Sequence, residues 1–91
     1  MTTNEKYKLE LSPYYLVKDE ESCGLCANHF YGKFLNYIDD DDYVGASLAK
    51  RFLKRGNDKC VSYKNNRFKK YFNDASNNKQ FNELKSGFFN D

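Results

Sequence analysis

The stretch that decides the fold is DYVGASLAKRFLKRG, residues 42–56. Its basic and apolar positions fall on opposite sectors at about 100° per residue, which predicts an α-helix from about Asp42 to Arg55. Asp42 is a good N-cap, and Gly56 is typical of the C′ position at which a helix stops. The basic sector holds Lys50, Arg51, Lys54 and Arg55, and the opposite sector holds Gly45, Ala46, Ala49, Phe52 and Leu53. The small residues of the second sector would let another helix approach closely.

Helical patterns also lie on both sides of this stretch. Apolar residues recur at helical spacing from Asp19 to Ile38, and acidic residues at the start suit the positive end of a helix dipole. Four aspartates, Asp39 to Asp42, then predict a turn that caps the central helix. After Gly56, a less regular helical pattern covers about Asn57–Asn73, with Asn65 and Asn66 as a candidate break. A last helix is predicted from about Asn77 to Phe88.

Residues 1–18 carry the strand-like pattern of the chain. Tyr7, Leu9 and Leu11 alternate with charged residues, and Pro13 then interrupts the run. A small hairpin and an extended arm packed across helices both fit this pattern. The predicted fold is therefore mostly α, a compact bundle of three to four short helices in residues 19–91 with an N-terminal arm or hairpin. Residues 1–91 are predicted to form a single domain.

Charge is sorted along the chain. Residues 1–49 carry a net charge of −5, residues 50–70 carry +8 from nine basic and one acidic side chains, and the whole chain carries +2. Basic side chains interleaved with aromatic rings can bind phosphates and stack on bases. The alternative is a solvated surface that offsets the acidic half of the chain. The expected nucleic-acid-binding residues, in the stretch 50–71, are Lys50, Arg51, Lys54, Arg55, Lys59, Tyr63, Lys64, Arg67, Phe68, Lys69 and Lys70.

The sequence favours a binding protein over an enzyme. It has one histidine, no Ser/His/Asp arrangement and no glycine-rich phosphate loop after a strand, so neither catalysis nor a cofactor is expected. The expected partner is acidic, with nucleic acid (DNA or RNA) first. The rival class is a protein–protein interaction module, such as a virion component or an inhibitor of a host protein. Its expected contacts are Tyr14, Tyr15, Phe88 and Phe89.

The cysteines allow two interpretations. Cys23 and Cys26 form a CxxC motif, and together with His29 and Cys60 they would complete a tetrahedral zinc shell. Cys60, however, has no second ligand near it in the sequence. Cysteines are also often buried as small apolar side chains without a metal, so no zinc is expected. The odd count of three cysteines is typical of a reducing cytosol. With no long apolar run and no signal-peptide pattern, we expect a cytoplasmic protein (host cytoplasm or virion if viral) and no membrane.

Residues 29–72, HFYGKFLNYIDDDDYVGASLAKRFLKRGNDKCVSYKNNRFKKYF, resemble an uncharacterised domain-of-unknown-function family of small phage and bacterial proteins. The similarity lies in an Asp-aromatic-Val-Gly turn at residues 42–45 and an Ala-basic-basic-Phe-Leu helix at residues 49–53. A glycine at 56 and a basic, aromatic segment at 63–71 follow. The family's segment after the glycine is richer in Arg and Gly, and its N-terminal region is longer. The resemblance implies a compact helical protein of phage or other viral origin and assigns no activity.

Overall fold

Five α-helices account for most of the chain in the computed structural model, which describes residues 3–63 and 65–89. None of the described residues forms a β-strand, which confirms the predicted mostly helical class. The helix count exceeds the three to four that were predicted, because the N-terminal segment is also helical. The helices are α1 (Thr3–Leu11), α2 (Glu20–Asp39), α3 (Tyr43–Cys60), α4 (Arg67–Ser76) and α5 (Lys79–Phe89), with short 3₁₀ turns at Ser12–Tyr14 and Val61–Tyr63.

The α2–α3 hairpin is the centre of the fold. The Asp42 side chain caps α3 by accepting a hydrogen bond from the Gly45 backbone N–H at 3.0 Å, as the sequence predicted. Ala46 and Ala49 are fully buried, so α2 and α3 approach closely through small residues. A Cβ at Gly45 would lie 2.7 Å from Cγ of Tyr37, which explains why the position has no side chain.

The α3 helix does not stop at Gly56, contrary to the sequence prediction. It continues to Cys60, and Gly56 lies inside the helix without a positive φ. The reason is packing: a Cβ at Gly56 would lie 2.2 Å from Cε1 of Phe68. This glycine therefore makes room for an aromatic ring of α4, and its conformational freedom is not used.

The α4 helix lies across the α2–α3 hairpin. It begins at Arg67 and ends at Ser76, later at both ends than the predicted segment, because residues 65–66 break the helical run. On its α2 side, the ring of Tyr71 stacks on Tyr31 with centroids 4.4 Å apart and planes 2° from parallel. On its α3 side, Phe72 contacts Lys50. Phe68 lies between these two contacts and is fully buried.

The N-terminal segment is a helix, which corrects the predicted extended arm or hairpin of residues 1–18. Tyr7 and Leu11 are buried, whereas Leu9 is 58% exposed. The buried positions are therefore four residues apart, the spacing of one helical turn, although the same residues also fit a period of two. Residues 1–2 of the predicted arm lie outside the described residues. Pro13 lies in the first turn of the 3₁₀ segment, where its missing N–H costs no helical hydrogen bond.

Two tyrosines attach α1 to the hairpin. The Tyr7 hydroxyl donates to the Asp42 carboxylate, with its oxygen 2.6 and 2.8 Å from the two carboxylate oxygens, and the Tyr37 hydroxyl donates to Glu10. The two rings meet edge to face with centroids 5.6 Å apart. Burial, together with the Asp42 hydrogen bond, raises the pKa of Tyr7 to about 12. The phenol therefore keeps the proton that it donates throughout the neutral pH range.

Replacing Asp42 with alanine is expected to destabilise the protein by about 1–3 kcal/mol. The change removes the α3 N-cap and leaves the Tyr7 hydroxyl without its acceptor. Urea unfolding followed by circular dichroism measures the effect. Asp42→Asn should recover most of the loss, because an amide oxygen can accept both hydrogen bonds. Asp39→Ala, at an exposed position of the same acidic run, should stay within about 0.5 kcal/mol. An equal loss in the Asp39 variant would contradict the prediction.

No helix within the described part of the chain combines the length and the hydropathy needed to cross a membrane.

Candidate nucleic-acid interface

The solvent face of α3 carries the largest group of cations. Arg51, Lys54 and Arg55 are exposed on the side of the helix opposite the buried Ala49 and Leu53. The structure therefore keeps the basic and apolar sectors apart, as the sequence predicted. Four residues make one helical turn, so Arg51 and Arg55 form a ridge along the helix that Lys59 continues.

Lys50 is placed differently from the other cations of α3. It is half-buried, and its Nζ lies 5.7 Å from the ring centroid of Phe72 and 4.9 Å from that of Phe81. Burial, together with the nearby charge of Lys85, lowers the pKa of Lys50. Its stem and ammonium thus pack against the rings of α4 and α5. Lys50 was predicted as a phosphate contact, and the structure gives it this packing role.

Aromatic rings support the cations at the other edge of α3. The Arg55 guanidinium lies 5.5 Å from the ring centroid of Phe52, and Nζ of Lys59 lies 5.9 Å from that of Tyr15. The Tyr15 hydroxyl also donates to the backbone carbonyl of Arg55, at 3.3 Å. Cation–π contacts of this kind hold the charged heads over a fixed surface, which reduces the entropy lost when they bind a ligand.

The cations of α4 divide between two sides of the helix. Lys69 precedes Phe72 by three residues and so lies on the flank that faces α3, and the exposed Lys70 lies beside it in sequence. Arg67 lies toward the start of α2: its Nη1 is 3.1 Å from the point where a Cβ at Gly24 would lie. Lys64 was also predicted as a contact, and it lies outside the described residues. We call the exposed cations of α3 together with Lys69 and Lys70 of α4 the basic face; they are Arg51, Lys54, Arg55, Lys59, Lys69 and Lys70.

The basic face is not neutralised by the protein's own carboxylates. Within the described residues, the one salt bridge joins Lys33 to Glu10, with Nζ 3.8 Å from Oε2. No described cation of residues 50–70 pairs with a carboxylate, although Asp58 is exposed in the same stretch. A solvated surface that offsets the acidic half of the chain needs no ion pairs, so this observation fits that alternative as well as a binding surface.

The aromatic residues of the basic stretch are less available than predicted. Phe68 was expected to contact a base, but its side chain is 0% exposed, so its ring cannot stack on a ligand in this conformation. Phe52 is half-buried, and Tyr63 is half-buried in the 3₁₀ turn after α3. The sequence did hold a signal for Phe68, because its spacing to Phe72 and Ala75 marks the buried side of a helix.

Two of the three cysteines form a disulfide, which differs from the reduced thiols expected of a cytosolic chain. Cys23 of α2 and Cys60 of α3 are bonded through their sulfurs, with Cα atoms 6.2 Å apart. Both residues are fully buried. The bond joins the start of α2 to the end of α3, so the hairpin is closed covalently at the end opposite its turn.

The four residues of the zinc alternative do not converge on one point. Cys23 and Cys60 are bonded to each other, whereas the Cys26 thiol donates to the backbone carbonyl of Tyr14 at 3.1 Å. His29 stacks on the Tyr14 ring with centroids 3.9 Å apart. Among the residues described, no group of three or more His, Cys, Asp or Glu side chains is arranged to hold a metal ion.

Comparison with known proteins identifies a family. A family model described as a domain of unknown function (DUF4385) matches residues 1–88. The resemblance to an uncharacterised family is therefore confirmed, and it covers nearly the whole chain. No curated protein and no solved structure matches the sequence.

Proposed function

Since the chain belongs to the DUF4385 family, whose domain has no assigned function, we propose a function from the chain's own surface. The protein is a non-enzymatic binding protein that holds nucleic acid on the basic face of α3 and α4. The observation that carries the proposal is that this face has exposed cations without carboxylate partners. Origin from a phage or another virus, and a cytoplasmic location, stay predictions.

Phosphates are the ligands that such a face suits. Arg51, Arg55 and Lys59 lie on successive turns of α3 and span about 12 Å at 1.5 Å per residue. Lys69 and Lys70 add charge from the neighbouring helix. Each phosphate that a cation neutralises releases condensed counterions, so the affinity gained is electrostatic and depends on salt. The overall charge of +2 is small, and binding would therefore depend on this face and not on the net charge of the protein.

Removing four cations from the basic face is expected to weaken binding and reduce its salt dependence. The variant is Arg51→Gln, Lys54→Gln, Lys69→Gln and Lys70→Gln. On duplex DNA, the slope of log K against log salt should flatten by about 3–4 units, because about four phosphate contacts are lost. Fluorescence anisotropy at several salt concentrations measures the slope. The free energy of unfolding should change little, since exposed charges contribute under about 1 kcal/mol each.

A matched variant separates the basic face from net charge. Lys6, Lys8, Lys18 and Lys79 are exposed lysines outside the face, and their replacement by Gln changes the net charge equally. This control should keep most of the wild-type slope. An equal loss in both variants would show that the face has no special role. No binding of the wild-type protein to any nucleic acid at about 50 mM salt would refute the proposed function.

A protein–protein interaction module is the second candidate, and an exposed apolar surface favours it. Leu16 is 68% exposed and Leu25 is 63% exposed, and both line a cavity of about 310 Å³ beside Tyr14. Exposed apolar patches of this kind mark binding surfaces in many proteins.

The aromatic contacts predicted for this second candidate are separated in the fold. Tyr14 packs on His29, whereas Phe88 packs on Tyr43 at the start of α3. Tyr15 is half-buried, and the side chain of Phe89 lies outside the described residues. The surface around Tyr14 and Leu25 is therefore the better candidate for a protein contact. It becomes the leading candidate if nucleic acid does not bind.

A further inference from the structure

Most aromatic rings beside the basic face are already in contact with the protein itself. The Phe52 ring stacks on Phe30, with centroids 4.8 Å apart and planes 12° from parallel, and the Arg55 guanidinium lies over the same ring. Phe68 is fully buried against Gly56. Lys59 lies over the half-buried ring of Tyr15. These rings stabilise the core or support cations, so they do not form an open row.

This arrangement bears on the type of nucleic acid. Proteins that hold single strands usually stack successive bases on several exposed aromatic faces along a charged groove. In the basic stretch of this protein, Tyr63 is the described ring that keeps partial exposure without a contact to another ring. One half-buried tyrosine cannot provide stacking for several successive bases.

The cations, in contrast, are exposed. The α3 ridge holds Arg51, Arg55 and Lys59, with Lys54 beside it. Lys69 and Lys70 add two exposed cations on α4, which runs antiparallel to α3, because Phe68 contacts Gly56 and Phe72 contacts Lys50. Contacts from such cations to phosphates need no unpaired base.

We infer that the nucleic acid held by the basic face is double-stranded and is bound through its phosphate backbones. This inference rests on the proposed function and adds to it the class of ligand. Because none of these cations needs an unpaired base, the ligand keeps its base pairs when it binds.

The test compares a duplex of about 16 base pairs with one of its strands at equal salt. We expect the duplex to bind about tenfold more tightly or better. We also expect salt slopes near −5 for the duplex and −4 for the single strand if all six cations contact phosphates. Tyr63→Leu should leave the affinity for both ligands within about twofold, and Tyr63→Phe, which keeps the ring, is its matched control.

Two results would overturn the inference while leaving the proposed function intact. One is a single strand that binds as tightly as the duplex or more tightly. The other is a loss of about fivefold or more in single-strand affinity for Tyr63→Leu but not for Tyr63→Phe, which is the effect of losing a stacked base. If neither ligand binds the wild-type protein, the proposed function fails and this inference fails with it.

Discussion

Replacing Phe68 with alanine is expected to lower the free energy of unfolding by about 3–5 kcal/mol. The ring is fully buried, lies 6.4 Å from the Phe30 ring between centroids, and fills the space above Gly56. A cavity at this point cannot close easily, because one wall is the backbone of α3 and backbone moves less readily than a side chain. Small domains have a total stability of about 5–15 kcal/mol, so the loss would be a large share. Urea unfolding followed by circular dichroism measures it.

The same contact can be tested from its other side. Gly56→Ala should destabilise the protein by about 1–3 kcal/mol, because its Cβ would lie 2.2 Å from a ring carbon of Phe68. Gly32 is the matched control: it lies inside α2, and a Cβ there would meet nothing within 4 Å. Gly32→Ala should therefore stabilise the protein by about 0.5–1 kcal/mol. A stabilising effect of Gly56→Ala as well would show that the Phe68 ring does not pack against Gly56.

Reduction of the Cys23–Cys60 disulfide is expected to cost about 4 kcal/mol of stability. The bonded cysteines are 37 residues apart, and chain-entropy theory gives about 3.8 kcal/mol for a loop of that length at 25 °C. Urea unfolding with and without dithiothreitol measures the difference. The double variant Cys23→Ala and Cys60→Ala should match the reduced protein and become insensitive to the reagent.

Cys26 provides the control for the disulfide prediction. Its thiol is free and buried in the same helix, one turn after Cys23. Cys26→Ala should leave the response to dithiothreitol unchanged, because the bonded pair is intact. A wild-type protein that unfolds at the same urea concentration in both conditions would show that Cys23 and Cys60 are not bonded in solution.

The central part of the fold was predictable from the sequence. In α3, small and apolar residues occupy one sector and cations occupy the other. This pattern predicts a helix, and it also predicts which side of the helix is buried and which side faces solvent. The Asp42 cap was predictable for the same reason, because its chemistry is local. The exposed cations Arg51, Lys54 and Arg55 follow directly from that helix. These features depend on residues that are near one another in the chain.

The features that were missed depend on distant contacts. Tyr7 and Leu11 fit a strand and a helix equally well, and the hydrogen bond from Tyr7 to Asp42 fixes which face is buried. Gly56 has the chemistry of a helix stop, and the ring of Phe68 explains its presence inside the helix. The charge of Lys50 is evident from the sequence, but its contacts with the rings of Phe72 and Phe81 on other helices are not.

The cysteine pairing was beyond prediction for a related reason. Three cysteines can form three different single disulfides, and nothing in their spacing selects one. Cys23 and Cys26 are close in sequence and form a CxxC motif. The pair that bonds is instead the one that the antiparallel α2–α3 hairpin brings together.

The disulfide also determines how the chain would carry a mechanical load. The α2–α3 hairpin and the Cys23–Cys60 bond together form a closed ring of covalent chain. When the two termini are pulled apart, tension passes from Cys23 to Cys60 through the sulfur atoms and bypasses the hairpin. The disulfide shortens the fully extended chain by about 120 Å, because the 37-residue segment that it closes, at about 3.3 Å per residue, no longer extends. Because α3 lies within the ring, its row of cations stays free of tension for as long as the bond is intact.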